Sequence, residues 1–157
     1  MTQKIKTEKV VSAYSVLSTA KYGKMDDSEK IKVWKIARAL KPIATKFDED
    51  MKDASEKMKP TDDFSDRLMK AQQYEAAIRK PDCDAQTLPM GAAEYGQFID
   101  EFKAYQKLVA DAMKEYSDAE VEVDFEPLTE DAFGQLMASN EWTVDQALAL
   151  GDIICQE

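Results

Sequence analysis

Between Val33 and Met58 apolar residues recur in steps of four and three: Val33, Ala37, Leu40, Ala44, Phe47, Met51, Ala54, Met58. That spacing is the stripe of a long helix packed on another helix. Asp26 followed by Glu29 predicts a capping box at its start, and Lys59-Pro60 closes it, because the residue before a proline avoids the α region. Pro42 lies inside this span, so the rod is expected to kink near Arg38 unless two helices meet there. A second such series, Phe98, Phe102, Tyr105, Val109, Ala112, Tyr116, predicts a helix from Ala92 to Tyr116 with enough aromatic surface to fill much of a core. Two shorter helices precede it in the chain. One covers Glu8 to Tyr22, with Val10, Tyr14, Leu17 and Lys21 on one side, Thr7 as N-cap and Gly23 at its end. The other covers Asp62 to Lys80, with Phe64, Leu68, Ala71 and Ile78 as its face and Pro81 as its stop. Pro81 to Gly91 reads as a loop.

After Asp118 the period changes to two. Glu120 to Glu126 alternates acid with apolar, as a strand with one wet face does. Its partner is read as Gln3 to Thr7, where Lys4 and Lys6 flank Ile5; pairing sets the lysines among Glu122 and Asp124 and joins Ile5 to Val121, Val123 and Phe125. Two short helices finish the chain, Thr129 to Ala138 and Thr143 to Cys155, the second opened by a Thr143/Gln146 capping box. The expected class is mainly α (α+β): an antiparallel helical bundle with a long kinked second helix, a two-stranded sheet and two short C-terminal helices.

A chain of 157 residues fits one domain. Residues 1–116 are read as its helical core and 117–157 as an acidic strand and short-helix tail packed on that core. Hydrophobic content of 44% and charged content of 33% describe a folding chain, not a disordered one. Cys83 and Cys155 lie outside any CxxC pattern, which points away from a disulfide scaffold or a thiolate zinc site and suits a reducing compartment. Lys4, Lys6 and Lys9 precede Val10 to Ala20 as in a secretion signal, but hydroxyl residues break the apolar run and Glu8 interrupts the positive region. No stretch approaches the ~20 apolar residues needed to cross a bilayer. The expected location is a bacterial cytoplasm, with no membrane partner.

Charge is distributed unevenly. No Lys or Arg follows Lys114, and twelve of the last 43 residues are acidic, whereas the first 46 hold eleven Lys/Arg against four acids. Such a dipole in sequence points to interaction through charge, either between the two halves or with a partner. Chemistry has little support. Without histidine there is no Ser-His-Asp or Cys-His nucleophile, no HExxH zinc helix and no imidazole base. The five glycines build no GxGxxG or Walker-type cradle. Asp48, Glu49, Asp50 and Asp53 read as a solvated helix face, and Asp82 with Asp84 lacks the ligand ladder and glycine of a calcium loop. No catalytic, cofactor-binding or metal-ligating residue is assigned, and no cofactor is expected.

Two surfaces remain. Glu115, Glu120, Glu122, Asp124, Glu126, Glu130 and Asp131 form an acidic surface able to attract a basic groove on a partner. Trp34 with Lys35, Arg38 and Lys41 forms a weaker basic patch, an aromatic among cations as in nucleic-acid grooves. For that patch the stronger reading is that Trp34 buries with Ile31 against the first helix, and a net charge of −10 makes direct nucleic-acid binding an unfavoured expectation. The seams of the second and fourth helices can close on each other within one chain, or the second helix can pair with its copy in a homodimer.

The Lys-Ile-Lys strand running through Thr7 into a helix with Val16-Leu17 and Ala20-Lys21, the Lys-rich second helix ending near Ala54-Ser55-Glu56-Lys57, and the Glu-Val-Glu-Val-Asp-Phe-Glu strand before Pro127 form one layout. It resembles that of small, mainly helical bacteriophage- or prophage-encoded proteins of unknown function. The resemblance implies a mobile-element product acting in a bacterial host cell, and transfers no functional residue. The leading expectation is a non-enzymatic adaptor for assembly or regulation that binds an unidentified protein. The alternative is an acidic, nucleic-acid-mimicking inhibitor of a host nucleic-acid-binding or defence protein.

Overall fold

A computed structural model describes residues 1–155 of the chain. Its elements are β1 (Thr2–Lys6), α1 (Thr7–Leu17), α2 (Asp27–Lys57), α3 (Phe64–Ile78), a 3₁₀ turn (Ala85–Thr87), α4 (Ala92–Asp118), β2 (Glu120–Asp124), α5 (Glu130–Ala138) and α6 (Val144–Ile154). The fold is mainly helical with one two-stranded antiparallel sheet, the class that the hydrophobic pattern predicts. The chain divides into two compact units, Met1–Asp50 with Lys114–Glu157, and Met51–Met113. The divisions fall inside α2 and α4.

In the first unit β1 pairs with β2 in the register that sets Lys4 opposite Glu122, Lys6 opposite Glu120 and Ile5 opposite Val121. Alternation puts Ile5 and Val123 into the core and leaves the charged residues outside. Thr7, expected as an N-cap, is the first residue of α1, and Lys6 precedes it as the cap. The Thr7 backbone N–H and hydroxyl both donate to the Ala119 carbonyl, at 2.9 Å each, which ties the start of α1 to the start of β2. Helix α1 also stops five residues before the predicted Tyr22, at Leu17. The hydroxyls of Ser18 and Thr19 donate to the carbonyls of Ser15 and Val16, a local alternative to helix propagation. Lys21 therefore lies outside α1, its backbone N–H and carbonyl both bonded to the Asn140 side chain.

Helix α1 packs on α6, and their shared core takes Val10, Ala13 and Leu17 from one and Leu150, Ile153 and Ile154 from the other. Fully buried aliphatic side chains of this kind contribute about 1.5–3 kcal/mol each. From α2 the core takes Val33, Ile36 and Leu40. Pro42 sits within one continuous helix instead of at a junction of two, on an exposed side where the Arg38 carbonyl that loses its partner can meet water. Both C-terminal helices form where the sequence predicts them. Thr129 accepts from Ala132 N–H, and the Thr143/Gln146 capping box closes in both directions. Leu128 N–H donates to the Ile154 carbonyl at 2.7 Å, fixing the entry of α5 to the end of α6.

The second unit has its own core of Phe64, Ala71, Tyr74, Met90 and Phe98. The Phe64 ring lies 5.4 Å from Phe98 and 4.8 Å from Tyr105, and Tyr74 stacks on Tyr95 at 4.5 Å. Arg67 reaches Glu101 with both terminal nitrogens and covers Phe98, and this carboxylate pushes the guanidinium pKa further up. Two stripe residues do not bury as predicted: Ile78 and Tyr116 are exposed, while Tyr74 and Met113 are buried instead. A four-three series over whole heptads repeats every 3.5 residues, against 3.6 in a straight helix, and slips by ~20° per heptad, so Ile78 lies about 40° from Phe64 round α3. On α4 the stretch from Phe98 to Tyr116 makes whole turns, and Tyr116, which belongs to the first unit, is exposed without any such slip.

Candidate functional site

The acidic residues singled out in the sequence separate into two groups. Glu120, Glu122 and Asp124 lie on β2, opposite Lys6, Lys4 and Thr2. Asp124 also accepts from the N-terminal ammonium of Met1 at 2.7 Å. Glu126 binds the Lys32 ammonium at 3.0 Å, and this hydrogen bond raises the lysine pKa. The acids of the strand segment thus face the basic N-terminal segment of the same chain. In this region the charge dipole of the sequence closes on itself. Glu115, Glu130 and Asp131 are exposed on helices: Glu115 near the end of α4, the other two in the first turn of α5, where the helix dipole favours negative charge.

The basic patch is more exposed than its sequence suggests. Val33, Ile36, Leu40 and Ala44 turn into the core, which carries Trp34 and Ile31 to the outside of α2, 52% and 55% exposed. The expectation that these two bury against the first helix is corrected. Ile36 fills the inward position, and Trp34 lies about 100° round the helix from Val33. The Arg38 guanidinium sits over the Trp34 ring at 5.3 Å, and Lys35 and Lys41 are exposed beside it. Ile31, Trp34, Lys35 and Arg38 follow the i, i+3, i+4, i+7 spacing of a single helical face.

One opening on the first unit was not foreseen. It is a groove of about 510 Å³ between α5 and α6. Phe133 and Met137 line one side, Ala147, Leu148 and Gly151 the other, and Glu130, Asp152 and Cys155 complete it. None of these residues is cationic. The groove exists because α6 is apolar on two faces: Leu150, Ile153 and Ile154 are buried, while Val144 and Leu148 point outward, 74% and 60% exposed. Gly151 brings Phe133 against α6, since a Cβ there would come within 3.2 Å of the ring. Cys155 sits beside Glu130, and burial, assisted by that carboxylate, raises the thiol pKa. Its sequence signal lay in α6, where apolar residues at 144, 147 and 148 fall outside the inward set of 150, 153 and 154.

Two smaller openings flank this unit. One, of about 210 Å³, is lined mainly by apolar groups of Ile43, Phe47, Tyr116 and Val121, with the Lys46–Asp50 ion pair at 2.9 Å beside it. The other, of about 290 Å³, lies over α1 and α6 and carries charges of both signs in Glu8, Lys9 and Asp152. Both fall below the usual ~300–1,000 Å³ of a small-molecule pocket. Among the described residues no group of three or more Cys, Asp or Glu stands close enough to hold a metal ion, and no helix is long and apolar enough to cross a membrane. No protein-family profile, no curated protein and no solved structure matches this chain.

Proposed function

We propose that this chain is a non-enzymatic protein that acts by docking another protein, as an assembly or regulatory adaptor of the bacteriophage type in a bacterial cytoplasm. The observation that carries the proposal is the second apolar face of α6, with Val144 and Leu148 exposed next to a groove floored by Phe133 and Ala147. An amphipathic helix normally needs one apolar face; a second one at the surface, bordered by carboxylates, is the form of an interaction site. The binding mode that suits it is a helix laid in a groove, with apolar anchors inside and cations towards Glu130 and Asp152.

The alternative, imitation of nucleic acid, draws on the same acidic half. It has less support, because Asp124 and Glu126 are engaged by cations of the chain itself, and Glu120 and Glu122 stand opposite lysines. A comparison of wild type with Leu148→Glu as bait in bacterial lysate, at low and high salt, tests the choice. Docking through the groove predicts a protein retained by wild type at high salt and lost by the variant. Equal capture by both, with loss only at high salt or when Glu120 and Glu122 are neutralised, would favour the mimic.

A further inference from the structure

The groove has a counterpart on the same molecule. On α2, Ile31 and Trp34 present exposed apolar surface, and Lys35, Arg38 and Lys41 surround it with positive charge. Its form is the inverse of the groove: apolar anchors at helical spacing with a cationic rim, against an apolar trough with an acidic rim. The inward residues of α2, Val33, Ile36 and Leu40, are already fully buried in the first unit, so that part of its seam is not open to pair with a copy of itself.

We propose that the occupant of the α5/α6 groove is the α2 face of a second copy of this chain, with Trp34 and Ile31 seated against Phe133 and Leu148 and Arg38 directed at Glu130 or Asp152. The inference rests on the reading of the groove as a protein-docking site and names what fills it. Because the two surfaces differ, a single contact leaves one copy with an unfilled α2 face and the other with an unfilled groove. Where these two free surfaces reach each other the pair closes as a two-fold dimer, and where they do not, association continues to a ring or an open filament. Apolar anchors give the contact its stability, and the charges set its orientation and weaken with salt.

The test is sedimentation velocity over a range of concentrations. Wild type should associate, to a closed dimer or beyond, as concentration rises. The double variant Trp34→Ala/Arg38→Ala, which loses the α2 face, and Leu148→Glu, which loses the groove, should each remain monomeric. Mixed one to one, they should form a heterodimer and stop, since the pair retains one intact groove and one intact α2 face. All these positions are exposed, and circular dichroism on each variant is the control that the helical fold is kept. Wild type that is monomeric throughout, single variants that assemble like wild type, or a mixture that stays monomeric while wild type assembles would each overturn the proposal. If wild type is monomeric yet Leu148→Glu still abolishes capture of a lysate protein, self-docking fails and the protein-docking reading stands.

Discussion

Cys155 shows how its surroundings keep a thiol in its protonated form. It sits half-buried at the end of α6, and burial together with Glu130 raises its thiol pKa, so less of it is thiolate at a given pH. Cys83, in the loop of the second unit, is exposed. At pH 8, iodoacetamide should alkylate Cys83 several-fold faster than Cys155, and the Cys155 rate should climb as pH rises further. Peptide mass spectrometry over time gives both rates. Equal labelling at pH 8 would contradict this placement of Cys155. Trp34 makes the complementary point. Its neighbours in sequence are Lys35 and the buried Val33, and only the identity of the inward set decides that the indole faces water. Residue type argued for burial, and the competition from Val33, Ile36 and Leu40 overruled it.

Among the elements, those specified by two agreeing signals were legible. The β1/β2 pairing was readable because charge and hydrophobicity alternate together, so a one-residue slip would bring lysines into the core. The last helix was readable from its capping box, and that cap is a testable part of the account. Thr143→Ala removes the acceptor for Gln146 N–H and should cost about 1 kcal/mol, seen as a lower urea midpoint and faster hydrogen exchange in the first turn of α6. An unchanged midpoint would mean that tertiary packing, not the box, holds that end. Less legible were features with a single signal. The end of α1 depends on hydroxyl competition at Ser18 and Thr19, and the loss of Ile78 from the inward set of α3 depends on slow drift of its stripe. The groove was illegible for a related reason: α6 is apolar on more than one side, and periodicity does not say which side finds a partner.

For the molecule as a whole, charge and apolar surface part company. The acidic strand segment, the most conspicuous charged feature of the sequence, stands opposite Lys4 and Lys6 across the sheet and pairs with Lys32 and the N-terminal ammonium of its own chain. That arrangement gives the basic N-terminal segment an internal role, in which individual exposed pairs contribute little but register is fixed. Exposed apolar surface lies elsewhere, at Val144 and Leu148 on α6 and at Trp34 and Ile31 on α2. The account therefore moves the seat of binding from the acidic strand to the outer faces of helices. Site-specific photo-crosslinking in bacterial cells tests that claim most directly, with a benzophenone amino acid placed at Leu148 in one version and at Glu122 in another. The account predicts discrete protein adducts from position 148 and few from position 122; adducts from position 122 alone would contradict it and return the acidic strand to the centre of function.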